Sequence, residues 1–335
     1  MSDNHSIRWG IIGCGNVTEV KSGPAFQKAS YSELVAVMRR DASKAQDYAR
    51  RHGVRRAYSN ADDLINDPEI DAIYVATPPD KHAFYAIKAM TAAKAVYVEK
   101  PMARTYEECL MMIKVSIETK TPLFTAYYRR SLPYYLNIKG MIDDKIIGDV
   151  RRVDLKLMHP PKQQDYSKDN LPWRVKPEIS GGGYFYDLAS HQLDVLDFYF
   201  GSVKKQMSYA ENRLGLYPAE DFVRTELQYE SGLEVTGEWN FGAHEDEFTD
   251  KTIIHGTKGR IVFSFFNGAP ITLRKGIWRK RYHIRNPENI QLPHIQNIVD
   301  ELRGKGKCPA DNTSSARTNQ LMEEIVKDYY TRFNT

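Results

Sequence analysis

The stretch Ile7–Val20, IRWGIIGCGNVTEV, decides the fold. Its first six residues form an apolar run suited to a strand buried on both faces, and the glycines Gly10, Gly13 and Gly15 mark its end. A tight turn there lets a pyrophosphate approach backbone N–H groups at a helix N-terminus with no Cβ in the way. This is the core of a dinucleotide fingerprint, with Thr18 in place of the usual third Gly or Ala, a departure that weakens the expected close packing of helix on strand. Cys14 reads as a small buried filler. Glycines also end strands in proteins that bind nothing; what favours a nucleotide is their place at the head of a strand-helix-strand pattern.

Outward from this stretch, as far as about Ala126, apolar runs alternate with amphipathic segments of helical length. IRWGII, ELVAVM, AIYVA, AVYVE and LFTAY are the strand candidates, apolar nearly throughout, as in a parallel sheet covered on both faces. Asp80 is expected to cap a helix running to Ala93, and Thr105 with Glu108 to form a capping box for one ending near Thr119. Residues 1–126 are thus expected to form a doubly wound α/β domain of the Rossmann type.

About twenty residues after the glycine turn, where a carboxylate would hold a ribose 2′-OH, the chain reads VMRRD. Arg39 and Arg40 would attract a 2′-phosphate, each charge-assisted hydrogen bond contributing roughly 1.5 to 3 kcal/mol, so two would give a preference of about a hundredfold or more. NADP(H) is therefore expected over NAD(H). In the competing reading the two arginines solvate an exposed turn and Asp41 serves a ribose. VATPPDKH ends one strand at Thr77, where Pro78 and Pro79 stop pairing, and VYVEKPM ends the next at Glu99, Lys100 and Pro101. Ligands of open α/β sheets lie beyond the carboxyl ends of the strands, so Thr77, Glu99 and Lys100 are expected to face the cofactor crevice.

Beyond Gly148 the pattern becomes strict alternation. In FVRTELQYE and LEVTGEWNF, Val223, Thr225, Leu227, Tyr229, Leu233, Val235, Trp239 and Phe241 share one face, while Arg224, Glu226, Glu230, Glu234 and Glu238 take the other. A turn at Ser231 and Gly232 makes this an antiparallel hairpin, and FTDKTIIHGTKGRIVFSF reads as a second, closed at Thr257 to Gly259. The expectation for 127–335 is an α+β domain for substrate binding and oligomerisation, with a large, mostly antiparallel open sheet and helices on one face. Helical spacing returns from His294, with SARTNQLMEEIVKDYY as one long helix.

Just after three glycines, GGGYFYDLASHQLDVLDF sets Asp187, His191 and Asp194 four and then three apart, on one face of a predicted helix. Leu188, Val195, Leu196 and Tyr199 would form the opposite, core-facing side. A carboxylate beside an imidazole fixes its tautomer and raises its basicity, which suits removal of a proton from an alcohol near neutral pH. A metal site needs a third ligand in reach; Asp194 could serve, but no other His or Cys is close in sequence and hydride transfer needs no metal, so none is expected. The bland alternative is a helix whose His is held by its own Asp.

Composition narrows the classes further. The 335 residues suit two domains, and no run of about twenty apolar residues could span a bilayer. The polar start MSDNHS offers neither an apolar signal segment nor an Arg-rich presequence, making the cytoplasm the expected location. Cys14, Cys109 and Cys308 are too few and too scattered for a disulfide framework or a zinc site. A net charge of +4 with no basic stripe argues against nucleic acid as a partner.

The set GCGNV, ATPPDKH, EKP, YYRRSLP, GDVRRV, PWR and GGGYFYDLASHQLD resembles the glucose-fructose oxidoreductase, inositol dehydrogenase and rhizopine-catabolism family, Gfo/Idh/MocA. The resemblance runs from about Ile7 to the C-terminal helices, with EKP and D-x-x-x-H its most specific elements. It implies a catalytic group of Lys100, Asp187 and His191, and a substrate that is a sugar, cyclitol, sugar lactone or dihydrodiol. It also implies that Trp173 and Arg174 lie near the cofactor, that Pro101 is cis, and that sheets pair into dimers or tetramers. The expected cofactor-binding set is Gly13, Gly15, Asn16, Val17, Arg39, Arg40, Thr77, Pro78, His82, Glu99, Lys100, Trp173 and Arg174. The loop from His159 to Ser180 and Tyr127, Tyr128 and Arg129 are expected to shape the substrate pocket. Two rivals remain: a redox glycosidase that recycles a tightly held NAD, against which the arginine pair argues, and a non-catalytic nucleotide sensor, which would have no use for lysine, aspartate and histidine together.

Overall fold

The computed structural model describes His5–Arg332; most of the polar start MSDNHS, on which the expected location rested, lies outside the described residues. The first half runs β1 (Ile7–Ile12), α1 (Asn16–Val20), α2 (Gly23–Lys28), β2 (Ser32–Met38), α3 (Ala42–His52), β3 (Arg56–Tyr58) and α4 (Ala61–Ile65). It continues with β4 (Ala72–Val75), α5 (His82–Thr91), β5 (Ala95–Val98), α6 (Tyr106–Thr119) and β6 (Leu123–Thr125). The strands form one parallel sheet in the order β3-β2-β1-β4-β5-β6, so the direction of winding reverses between β1 and β4. Five of these strands coincide with the apolar runs of the sequence. The short edge strand β3, Arg-Ala-Tyr, has no such run because none of its residues is fully buried.

Alternation along β1 sorts the core onto two faces of this sheet. Trp9 and Ile11 join Phe26, Tyr74 and Tyr97 on one side, and Ile12 joins Val35, Ile73, Val75 and Val96 on the other. Trp9 lies 4.8 Å from Phe26 and Tyr74 stacks on Tyr97 at 4.8 Å, centroid to centroid. The capping box forms as expected: Thr105 accepts from the Glu108 N–H, and the Glu108 carboxylate accepts from that of Thr105. Asp80 does not cap. A 3-10 turn over Pro79–Lys81 intervenes, and the Asp80 carboxylate pairs with Lys81 instead.

The second half runs α7 (Pro133–Asp143), β7 (Val150–Met158), α8 (Pro177–Ser180), a π-helical turn (Phe185–Ala189) and α9 (Ser190–Phe200). Next come β8 (Val203–Glu211), β9 (Phe222–Tyr229), β10 (Glu234–Asn240), β11 (Thr249–Gly256), β12 (Gly259–Phe263), β13 (Ile271–Lys275) and β14 (Trp278–Tyr282). The last helices are α10 (Leu292–Leu302) and α11 (Asn312–Thr331). Strands β7 to β14 make an eight-stranded sheet in the order β14-β13-β12-β11-β7-β10-β9-β8, antiparallel except between β7 and β10. Both expected hairpins are present, β9 with β10 and β11 with β12. Val223, Thr225, Leu227, Val235 and Trp239 are buried on one face, against which the Trp239 Nε1–H donates to Oε1 of Gln192 on α9 at 2.6 Å.

Contacts divide the chain into one unit of Met1–Leu132 with Asn286–Ala316 and another of Pro133–Arg285 with Arg317–Thr335. This differs from the single expected boundary at 126/127. The cause is the amphipathic face of α10, whose Ile295, Ile298 and Val299 join Trp9, Phe26 and Tyr97 in the core. Burying an aliphatic side chain of that size contributes roughly 1.5 to 3 kcal/mol, which holds the segment to the first unit.

Candidate active site

In the first unit the site is built on the turn after β1. Gly13 has φ +91, and a Cβ there would come within 2.9 Å of Thr77 Cγ2 and 3.1 Å of the Ala76 carbonyl. The N–H groups of Gly13 and Cys14 both donate to the Met38 carbonyl, which ties the turn to the end of β2. Gly10 lies within β1 rather than after it. The Thr18 hydroxyl accepts from the Gly15 N–H at 3.0 Å and donates to the Gly15 carbonyl at 2.8 Å. Thr18 thus ties down the turn with its side chain and is itself fully buried, where the fingerprint's third glycine would serve close packing of helix on strand. Asn16 and Val17 open α1, where N–H groups have no helical acceptor.

Arg39 and Arg40 come directly after β2, and both are exposed. Arg39 Nη1 donates to the Cys14 carbonyl at 3.3 Å, which brings its guanidinium to the glycine turn. Asp41 is otherwise engaged: it caps α3 through the Lys44 N–H and accepts from the Ser43 hydroxyl at 2.7 Å. Those bonds, with the Ser43 hydroxyl foremost, pull its carboxyl down to about 2.

Beyond β4 and β5 the strand-end residues separate into two roles. Thr77 Oγ1 is buried without a partner among the described residues, beside Gly13. Pro78 is half-buried next to it. His82 is fully buried, its Nδ1 2.9 Å from the Pro101 carbonyl and its Nε2 2.8 Å from that of Thr77; burial holds its pKa below the ordinary value. Its ring braces the two strand ends rather than presenting a surface. Glu99 also turns inward: one oxygen accepts from Tyr74 Oη and Gln291 Nε2, the other from the Lys100 N–H. The Lys100–Pro101 peptide bond is cis, as the resemblance implied. Tyr127, Tyr128 and Arg129, expected to shape a pocket, are buried.

The acid-histidine row of the second unit departs from a wet helix face. His191 is 5% exposed and Asp194 fully buried. Leu188, expected in the core, lies within a π turn over Phe185–Ala189, whose wider winding departs from the α-helical period the expectation assumed, and it is only half-buried. Val195, Leu196 and Tyr199 are buried as expected. Asp187 keeps a fifth of its side chain exposed and accepts from Arg174 Nε at 3.0 Å. The Arg174 guanidinium in turn covers the Trp173 ring at 4.4 Å. His191 lies edge-on to Phe266, 6.4 Å between centroids.

Motif reading missed Lys162 on the same loop as Arg174. Its ammonium sits 4.1 Å over the Tyr184 ring, and burial pushes its pKa down against the opposing pull of Asp187 and Asp165. The buried Asp165 accepts from Tyr184 Oη at 2.6 Å and from the Lys162 N–H at 2.7 Å. No spacing rule links residues brought together by a coiled loop. Among the described residues no group of three His, Cys, Asp or Glu could hold a metal ion, and no helix is long and apolar enough to cross a membrane.

The cradle at Gly13, the unpartnered Thr77 hydroxyl, the open helix start and the guanidinium of Arg39 together fit a dinucleotide. Fold and turn define a dinucleotide-binding protein of the Rossmann type. Residues 7–127 match the oxidoreductase family described as an NAD-binding Rossmann fold, and 135–262 match the GFO/IDH/MocA C-terminal domain. The chain belongs to the Gfo/Idh/MocA oxidoreductase family. It is 40% identical to Oxidoreductase P35 of Formosa agariphila, over 95% of this chain and 97% of that one. It is 26% identical to a 1,5-anhydro-D-fructose reductase of Ensifer adhaerens, over 76% and 75% of the two chains. In structure it is similar to a levoglucosan dehydrogenase solved with NADH and L-sorbose, with TM-score 0.86, 21% identity and 96% of each chain covered.

Proposed function

We propose that the protein is an NADP(H)-dependent oxidoreductase that interconverts a hydroxyl and a carbonyl on a sugar, cyclitol or related polyol. The observation that carries the coenzyme preference is the exposed guanidinium of Arg39 bonded to the glycine turn while Asp41 is taken up by its helix cap. A sugar-like substrate is supported by the name of the Ensifer relative, a reductase of 1,5-anhydro-D-fructose.

The bound nicotinamide supplies a hydride acceptor or donor. In oxidation, His191 accepts the proton of the substrate hydroxyl and Asp187 orients and stabilises the resulting imidazolium. Lys100 hydrogen-bonds the same oxygen. In reduction the proton moves the other way, from His191 or Lys100. Arg174 donates to Asp187 at 3.0 Å and aims that carboxylate. Assembly as a homodimer or homotetramer through the eight-stranded sheet is part of the same reading.

The test is fluorescence titration with NADPH and NADH, then a panel of carbonyl sugars with NADPH. Tighter NADPH binding and net coenzyme consumption are expected; coenzyme recycling would favour a redox glycosidase, and no turnover of any panel member a sensor. Single-turnover hydride transfer in His191→Ala and Lys100→Met tests the roles. Weaker binding with an intact rate would contradict them.

A further inference from the structure

Gly183 stands at the entry to the π turn that carries Asp187, and its N–H donates to Oε1 of Glu220 at 2.9 Å. The Gly183 carbonyl accepts from the N–H groups of Tyr186 at 3.1 Å and Asp187 at 3.4 Å. The approach is close: a Cβ on Gly183 would lie 2.7 Å from the Glu220 carbonyl oxygen and 2.9 Å from Ala219 Cβ. Glu220 is fully buried, and its second oxygen accepts from the Tyr330 hydroxyl on α11 at 2.5 Å. A buried carboxylate is disfavoured unless its lone pairs are used. Here both oxygens are used, one of them on the backbone at the entry to the π turn.

We propose that Glu220 is a positioning residue for the reaction: by clamping the Gly183 N–H it sets the π turn, and through it the orientation of Asp187 and His191. Tyr330 holds the clamp from the C-terminal helix. The inference rests on the proposed roles of Asp187 and His191. Burial pushes the Glu220 carboxyl up to about 7, so the clamp changes protonation near neutral pH. The ionisable groups facing it are Asp221, Tyr186, Tyr217, Tyr329 and Tyr330, with Glu323 acting on Tyr186 beside it.

The test compares two variants of the full chain. Glu220→Gln keeps an acceptor for Gly183, whereas Glu220→Met keeps the volume and removes it. With NADPH and 1,5-anhydro-D-fructose as the probe pair, kcat should fall about tenfold or more in Glu220→Met and less than about threefold in Glu220→Gln, with KM within about twofold in both. The Gly183 amide resonance should titrate with a midpoint near 7 in the parent and not in Glu220→Gln. A folded Glu220→Met variant with parental kcat would overturn the proposal, as would a Glu220→Gln variant as impaired as Glu220→Met. Should Glu220→Met not fold, or the probe not turn over, hydrogen exchange of the parent decides: a Gly183 amide that exchanges as fast as an unprotected backbone N–H overturns the clamp. His191→Ala is measured alongside, and undiminished turnover there would refute the catalytic assignment while leaving the amide protection to judge the clamp.

Discussion

Arg174 Nε donates to Asp187 Oδ2 at 3.0 Å, joining the 3-10 turn of the Trp-Arg pair to the π turn ahead of His191. The guanidinium is 41% exposed, and a pair of that exposure contributes only about 0 to 1 kcal/mol to stability. Its consequence is orientation of the carboxylate. Arg174→Met should therefore lower kcat by about ten- to a hundredfold while moving Tm by no more than about 4 °C. Stopped-flow kinetics and calorimetry check both, and an unchanged kcat would remove the pair from the mechanism.

Arg39 meets the glycine turn through the Cys14 carbonyl. If it recognises a 2′-phosphate, Arg39→Ala should weaken NADPH binding by about ten- to a hundredfold and leave NADH within about threefold, the loss of one charge-assisted bond. Equal losses for both coenzymes in a fluorescence titration would count against NADP(H) selection.

Gly13→Ala places a methyl 2.9 Å from Thr77 Cγ2 at a φ of +91. Loss of coenzyme affinity by more than about tenfold is expected, with the fold retained by circular dichroism, because strain and clash both fall on the turn. Parental affinity would show that the turn does not hold the dinucleotide.

The Glu220 carboxyl moves from 4.5 to about 7 on folding, so between those values the folded chain holds a proton that the unfolded chain has released. Stability from this group is full below 4.5, declines as pH rises through the window, and stays lost above about 7, by on the order of 3 kcal/mol. Glu220→Gln does not titrate. Its stability relative to the parent should therefore rise between pH 5 and 7 and level off, measured by urea denaturation across pH. A constant difference would mean that Glu220 is ionised normally.

Thr105→Ala removes the capping-box acceptor of α6, which serves the Glu108 N–H. It should cost about 1 kcal/mol in denaturant unfolding and leave kcat unchanged.

Legibility tracked the length of the signal. Strands buried on both faces showed as continuous apolar runs, and the β9–β10 hairpin as alternation, because the pleat fixes a period of two. Thr105 and Glu108 were readable as a cap because both partners sit within one turn. Asp80 misled for the same local reason: the 3-10 turn at Pro79 displaced the helix start and handed its carboxylate to Lys81. The π turn at Phe185–Ala189 was invisible, since nothing in the spacing of Asp187 and His191 records an inserted residue.

Local order therefore belonged to the sequence by itself: the glycine turn, the parallel-sheet runs, the amphipathic hairpins and the residue types of the Asp-His row. Long-range pairing was decided only by the tertiary structure. It brought Gln291 to Glu99 across 192 positions and Tyr330 to Glu220 across 110, and buried α10 against the first sheet. The physical reason is that backbone period and capping act over a few residues, whereas a buried carboxyl must find its donors wherever packing brings them, and no pattern along the chain encodes that partner.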